Sequence, residues 1–247
     1  MRSLLKTSCV CAFVMLFTTT AFSQETANVT ANHAPSQVSF LIPNYNPVGP
    51  LGYANGGKNI LEIADGSQFH EQEFKDAKVS GSEVLLKARY NAYLDEMEVK
   101  YNDEIVCVNK NLQKRRVLFT ADNLEYKILD TDNSDKKEKH SYFTVLLENS
   151  NVSLYKKDAK ELVIALEKVP YMTPAPKIIT EFQDAKSEFY VEVKENGNAI
   201  KVPKTRRGVA NLFPGKEKLI KKFIKQNKIN VTEEDGLKKL INYVNSL

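Results

Sequence analysis

The stretch from Val84 to Tyr101 constrains the fold more than any other part of the chain. Val84, Leu86, Ala88, Tyr90 and Ala92 alternate with Lys87, Arg89 and Asn91. After Asp95-Glu96 a second alternation follows in Met97, Val99 and Tyr101. A period of two means one buried face and one wet face. Two such runs around an acidic break predict an antiparallel hairpin at the centre of a sheet. Val84, Leu86, Tyr90, Met97 and Val99 fall on its core or ligand-facing side, and Glu98 falls on the wet side.

The flanking sequence continues this pattern. Between Phe74 and Lys168, short apolar runs are separated by Ser80-Gly81-Ser82, Asn102-Asp103, Ala121-Asp122-Asn123 and Asn149-Ser150-Asn151. Turns at such spacings predict an antiparallel β-meander over 58–168, built as a sandwich, a half-barrel or a curled sheet. Glu161 to Glu167 reads as a strand or a helical turn. Residues 24–57 are polar and then rich in proline and glycine, which predicts an extended arm.

Pro170, Pro174 and Pro176 fall within eight residues, so 169–177 reads as a stiff linker. A second module is expected over 178–247. It begins with alternation from Glu188 to Lys194 and a hairpin signal at Asn196-Gly197. Three helices follow. Thr205 is a candidate cap for the first. The second places Leu219, Ile220, Phe223 and Ile224 on one face. Thr232-Glu233-Glu234-Asp235 reads as a capping box for the third, which places Leu237, Leu240, Ile241 and Val244 together. The expected class is therefore α+β.

The first 23 residues have the marks of a secretory signal peptide. Arg2 and Lys6 form a charged n-region, Cys9 to Phe17 an apolar core, and Ala21-Phe22-Ser23 a cleavage site before Gln24. Cys9 and Cys11 would leave with it, and Cys107 would then have no partner for an internal disulfide. The alternation in Ile105-Val106-Cys107-Val108 predicts a buried strand cysteine. No later segment is long and apolar enough to span a bilayer as a helix. The expected location is the periplasm, the outer envelope or the cell exterior.

Charge is uneven. Residues 24–200 carry 21 basic and 27 acidic groups, whereas residues 201–247 carry 12 basic and 4 acidic groups. Arg206, Arg207, Lys218, Lys221, Lys222 and Lys225 are the candidate patch for an anionic partner, with weak, salt-sensitive binding. No nucleic-acid motif accompanies them.

The catalytic and metal motifs are incomplete. Gly52 to Asn59 approaches a P-loop but ends in Asn where Ser or Thr must hold the metal. Asp130 to Asp135 opens like a calcium loop without its glycine and closing glutamate. His33, His70 and His140 are far apart and lack a second ligand at short spacing. No G-x-S-x-G occurs. Asp95, Glu96 and Glu98 read as solvent-facing turn carboxylates. No catalytic, cofactor-binding or metal residue is assigned, and no cofactor is expected.

Two segments carry a resemblance. One is Arg89-Tyr90-Asn91-Ala92-Tyr93-Leu94-Asp95-Glu96-Met97-Glu98. The other runs from Leu212-Phe213-Pro214-Gly215-Lys216 to Tyr243-Val244-Asn245-Ser246-Leu247. From about Phe74 to the end, the chain resembles a family of uncharacterised secreted β-rich proteins of Bacteroidota, departing at Gly236 and Val244. The resemblance implies an envelope location and supplies no catalytic residue. The expectation is a non-catalytic exported protein acting as a binding or structural module. Its rivals are a carrier holding a lipid or other hydrophobic ligand in a curled sheet, and a hydrolase of unrecognised type.

Overall fold

The computed structural model describes residues 41–42, 64–111, 115–131, 139–166 and 178–247. The segment read as a signal peptide, most of the segment read as an N-terminal arm, the P-loop-like stretch and the proline-rich segment lie outside them.

The alternating stretch forms the expected hairpin. Strands β3 (Leu86–Asn91) and β4 (Glu96–Tyr101) pair with Tyr90 opposite Met97 and Ala88 opposite Val99. On one side follow β2 (Lys75–Val79), β6 (Arg116–Phe119) and β7 (Leu124–Thr131). On the other follow β5 (Glu104–Val108) and the short β1 (Leu41–Ile42). Asn102 and Asp103 take φ of 49° and 63°, the left-handed pair that closes a tight hairpin between β4 and β5. The side chains of Leu86, Ala88, Tyr90, Met97 and Val99 meet Val117, Phe119, Tyr126 and Ile128 in one core.

Strand β7 is where the sheet acquires two interiors. It pairs with β8 (His140–Leu147), β8 with β9 (Val152–Lys157), and β9 with β12 (Glu188–Val193). β12 pairs with β13 (Asn198–Lys201), which returns parallel to β7. These strands close a ring. Tyr126 and Ile128 of β7 face the meander core, while Leu129 joins Phe143, Tyr155, Tyr190 and Ala199 inside the ring. Burial on both faces is why Tyr126, Lys127, Ile128 and Leu129 are all buried in succession.

The strands after the proline-rich segment do not form a sheet of their own. β12 and β13 are built into the same sheet as the meander. β10 (Lys160–Leu166) and β11 (Ile178–Asp184) form a separate two-stranded ribbon. The region left open between strand and helical turn is thus a strand.

Helices α1 (Arg206–Asn211), α2 (Glu217–Gln226) and α3 (Glu234–Asn245) cover the outer face of the ring. Ile220, Ile224, Leu237, Leu240, Ile241 and Val244 pack against Val152, Leu154 and Val191. Thr205 caps α1 as expected, its hydroxyl accepting from the Gly208 N–H at 3.1 Å. The expected capping box at Thr232 does not form. Glu233 is the N-cap, and the Thr232 hydroxyl instead donates to Asn230 Oδ1 at 2.8 Å. Leu219 is a second correction: it is 48% exposed. It lies at the edge of the Ile220–Ile224 stripe, and Phe223 takes the neighbouring space by stacking on Tyr243 at 3.9 Å.

Candidate functional site

The expected lining residues are placed differently from one another. Leu86, Tyr90, Met97 and Val99 are buried in the meander core. Val84 is 64% exposed and precedes β3. The Ser82 side chain draws its backbone into a local turn by accepting from the Val84 N–H at 3.3 Å and donating to its carbonyl at 2.9 Å. Val84 therefore lines nothing with the other four. Side chains of the chain itself fill the concave face. Beside Tyr90 the space left between His70, Arg89, Phe119 and Tyr126 is about 10 Å³, no more than one water-sized sphere.

The turn carboxylates are not solvent-facing. Asp95 adopts φ 57° at the tip of the β3–β4 hairpin, turning its side chain inward. Its Oδ1 accepts from the Tyr90 hydroxyl at 2.6 Å, from the Tyr142 N–H at 3.2 Å and from Lys157 Nζ. Lys157 also donates to the Tyr142 carbonyl at 3.1 Å. Lys110 Nζ lies 3.1 Å from Glu96 and 3.9 Å from Asp95. Glu98 is also a correction: it is 1% exposed. Arg89 binds it at 2.7 Å, and the Arg89 guanidinium lies over the rings of Phe69 and Phe74 at 3.6 and 4.3 Å. These aromatics cover the face that alternation assigns to water. Asp95 is held by Tyr90, Lys157, Lys110 and the Tyr142 N–H, and Glu98 by Arg89 and the Asn91 amide at 3.4 Å, so both join parts of the fold and present no open acid–base pair.

Inside the ring lies a group with no signal in the sequence. Lys127 Nζ donates to Glu192 Oε2 at 2.9 Å and to the Tyr155 hydroxyl at 3.0 Å, and Tyr155 donates to the same carboxylate oxygen at 2.6 Å. The Gly197 N–H donates to Glu192 Oε1 at 2.7 Å. Burial by itself would raise the Glu192 carboxyl. The bonds from Tyr155, Lys127 and Gly197 outweigh it and hold the group below its ordinary range. Burial, then the hydrogen bond to Glu192 and its charge, pushes the Tyr155 hydroxyl upward. Lys127 and Glu192 occupy alternate positions that read as wet in each strand, so only ring closure reveals them.

One polar cleft of about 320 Å³ opens between His70, Lys156, Asp158, Lys160, Asp184 and Ser187. Its charges are paired, Lys156 to Asp158 at 2.7 Å and Lys160 to Asp184 at 2.6 Å. Lys160 lowers the Asp184 carboxyl, which stays ionised near neutrality and cannot act as a general acid there. Among the described residues, no three His, Cys, Asp or Glu side chains are grouped to hold a metal. His140 bonds Asp130 at 2.5 Å, and Cys107 is fully buried in β5.

The cationic candidates are all on the surface. Arg206 and Arg207 are exposed in the first turn of α1, and Lys218, Lys221, Lys222 and Lys225 are exposed along α2. None of the six forms an ion pair among the described residues. Most strand lysines differ: Lys75, Lys87, Lys127, Lys156, Lys157, Lys160 and Lys201 are each paired to a carboxylate, and only Lys78 and Lys100 among the described strands are not. Among the described residues, no helix is long and apolar enough to cross a membrane.

No protein-family model, curated protein sequence or solved structure matches this chain.

Proposed function

We propose that the protein is an exported, non-catalytic binding module of the cell envelope, and that the outward face of α2 is the surface that meets an anionic partner. The leader-like segment at Arg2 to Ser23 supports export. The resemblance in Arg89 to Glu98 and in the C-terminal segment supports an envelope role.

One observation carries the choice of surface. Seven of the nine lysines in the described strands, all but Lys78 and Lys100, are paired to a carboxylate, whereas Lys218, Lys221, Lys222 and Lys225, on successive turns of one helix, form no ion pair among the described residues. Ile220 and Ile224 fix that helix against the ring, so the lysines cannot turn inward. Glu217 offsets part of the charge at Lys221, and most of the field of the four remains. Leu219 is exposed beside them and adds an apolar contact at the same surface. The filled concave core gives a hydrophobic ligand no comparable place.

The test is titration with anionic and zwitterionic vesicles and with duplex DNA at low and high salt. Binding to anionic vesicles at low salt should fall steeply at high salt, because exposed charges are screened beyond about 8 Å at physiological ionic strength. Lys218→Glu with Lys222→Glu should abolish it. Tight, salt-resistant binding to DNA would reassign the protein to the nucleic-acid class. Absence of low-salt binding to vesicles and DNA alike would overturn the proposed surface.

A further inference from the structure

Among the described residues, the β10–β11 ribbon has one partly covered edge and one open edge, and the hydrogen bonds show which residues form each. The Ala185 N–H donates to the Ala159 carbonyl at 3.0 Å, so odd-numbered residues of this part of the chain face the partner strand. With Val163 opposite Glu181 and Ala165 opposite Ile179, the even-numbered residues of both strands point outward. On β11 two of the outward groups are met by Asp65. The Asp65 N–H donates to the Thr180 carbonyl at 2.9 Å, and the Phe182 N–H donates to the Asp65 carbonyl at 2.8 Å. On β10 the Lys160 N–H reaches the Ala92 carbonyl at 3.1 Å, and there the cover ends. The outward amides and carbonyls of Leu162 and Ile164 bond to no described residue.

The sequence along this edge is Leu162-Val163-Ile164-Ala165-Leu166, without charge, proline or glycine. Exposed edges elsewhere are guarded by such residues, because an open edge pairs with any compatible strand. Ile164 is 53% exposed, and Ile179 on the opposite face of the ribbon is 37% exposed. A two-stranded ribbon is marginal in water, while a four-stranded sheet is not.

We infer that β10 is a self-association edge: two copies of this chain pair antiparallel through β10, with Ile164 opposite Ile164 of the second copy. Symmetry and hydrogen bonding fix that register. A two-fold axis relating antiparallel strands passes through a residue pair and preserves faces. Lys160 is already bonded within its own chain, so the intermolecular ladder uses Leu162, Ile164 and Leu166. An axis at Ile164 engages all of them, setting Leu162 opposite Leu166 of the second copy. An axis at Val163 would require the Lys160 amide. The pairing extends each ribbon into one four-stranded sheet and brings the two most exposed isoleucine side chains of the edge together. One strand pair buries less surface than a permanent dimer does, so the association depends on concentration.

This inference is independent of the cationic face of α2. Sedimentation velocity over a wide concentration range should show a reversible monomer–dimer equilibrium. Amide exchange at Leu162 and Ile164 should slow as concentration rises, while exchange at Phe182, whose N–H is bonded to Asp65 within the chain, stays unchanged. Ile164→Lys places two like charges on the axis and should abolish the dimer. Ile105→Lys, at an exposed position of β5 in the other sheet, should leave it intact. A monomer at every concentration, or a dimer unaffected by Ile164→Lys, would overturn the assignment. So would exchange at Leu162 and Ile164 that is slow and independent of concentration, which would mean the edge is covered within one chain.

Discussion

Tyr90 donates its hydroxyl to Asp95 at 2.6 Å, from the centre of the meander core to the tip of its own hairpin. Asp95 in turn holds Lys157 and the Tyr142 N–H, which belong to the ring. One carboxylate therefore fastens the meander to the ring. Asp95→Ala should destabilise the protein by about 3 kcal/mol, because it leaves a half-buried lysine short of its counter-charge. Asp95→Asn should cost less, since Asn tolerates the left-handed backbone and keeps an acceptor for Tyr90. Urea unfolding of both variants checks this. Equal losses would mean that the charge carries the whole effect and that the acceptor and the turn preference add nothing.

Glu98 sits beneath Arg89, Phe69 and Phe74. Glu98→Gln keeps the shape but removes the charge that Arg89 faces, and should cost about 2 kcal/mol. A loss within about 0.5 kcal/mol, the usual range for a surface position, would show that the aromatic cover does not exclude water.

The Lys127–Glu192 pair tests what a buried charge does inside a small barrel. Removing one partner strands the other, so Glu192→Ala should cost about 3–5 kcal/mol. The double change Lys127→Met with Glu192→Leu should cost less than the single one. A double variant that loses as much as the sum of its parts would mean that the two residues are not coupled.

Burial raises the hydroxyls of Tyr90, Tyr126, Tyr142, Tyr155 and Tyr190, while carboxylates nearby push most of them further. The folded pKa lies above the unfolded value of about 10 in each case, so their contribution is fully present below pH 10. It is lost as pH rises beyond that. Glu148, held low first by Arg116, and Glu192 act with the opposite sign. Their contribution is present above the unfolded value of about 4.5 and is lost as pH falls through the lower folded value. An ultraviolet titration should show these tyrosines ionising in one steep step together with the loss of circular dichroism. Gradual ionisation with the fold intact would contradict their burial.

Much of the fold was legible because it is local. The β3–β4 alternation, the Asn102-Asp103 turn and the Thr205 cap each depend on neighbours a few residues away. The polar interior was not legible. Asp95 meets Tyr142 across 47 residues and Lys157 across 62, and Lys127 meets Glu192 across 65. Alternation sorts one face from the other, but it cannot report that a second layer covers the polar face. Alternation places Glu98 on the wet side for that reason. Leu219 failed differently, because a helical stripe has no sharp edge and the Phe223–Tyr243 stack decided where it ends. The lysines of α2 were legible as exposed, since no apolar periodicity includes them.

Gly236 lies inside α3, where glycine lowers helix stability by about 1 kcal/mol relative to alanine. Propensity alone would favour Gly236→Ala. The packing opposes it, because a Cβ at this position would lie 2.0 Å from the carbonyl oxygen of Asn230. That oxygen belongs to backbone, so it cannot swing aside like a side chain. Moving it would also disturb the Asn230 side chain, which accepts from the Thr232 N–H at 3.1 Å and donates to Glu233 at 2.6 Å. These bonds shape the entry to the helix in place of a capping box. Gly236→Ala should therefore destabilise the protein by about 2 kcal/mol, the overpacking cost exceeding the gain in propensity. Lys239→Ala, at an exposed position of the same helix, should stay within about 0.5 kcal/mol. Thermal and urea unfolding of both variants measures the difference. A more stable Gly236→Ala protein would mean that the Asn230 loop yields freely and that close approach is not the reason for this glycine.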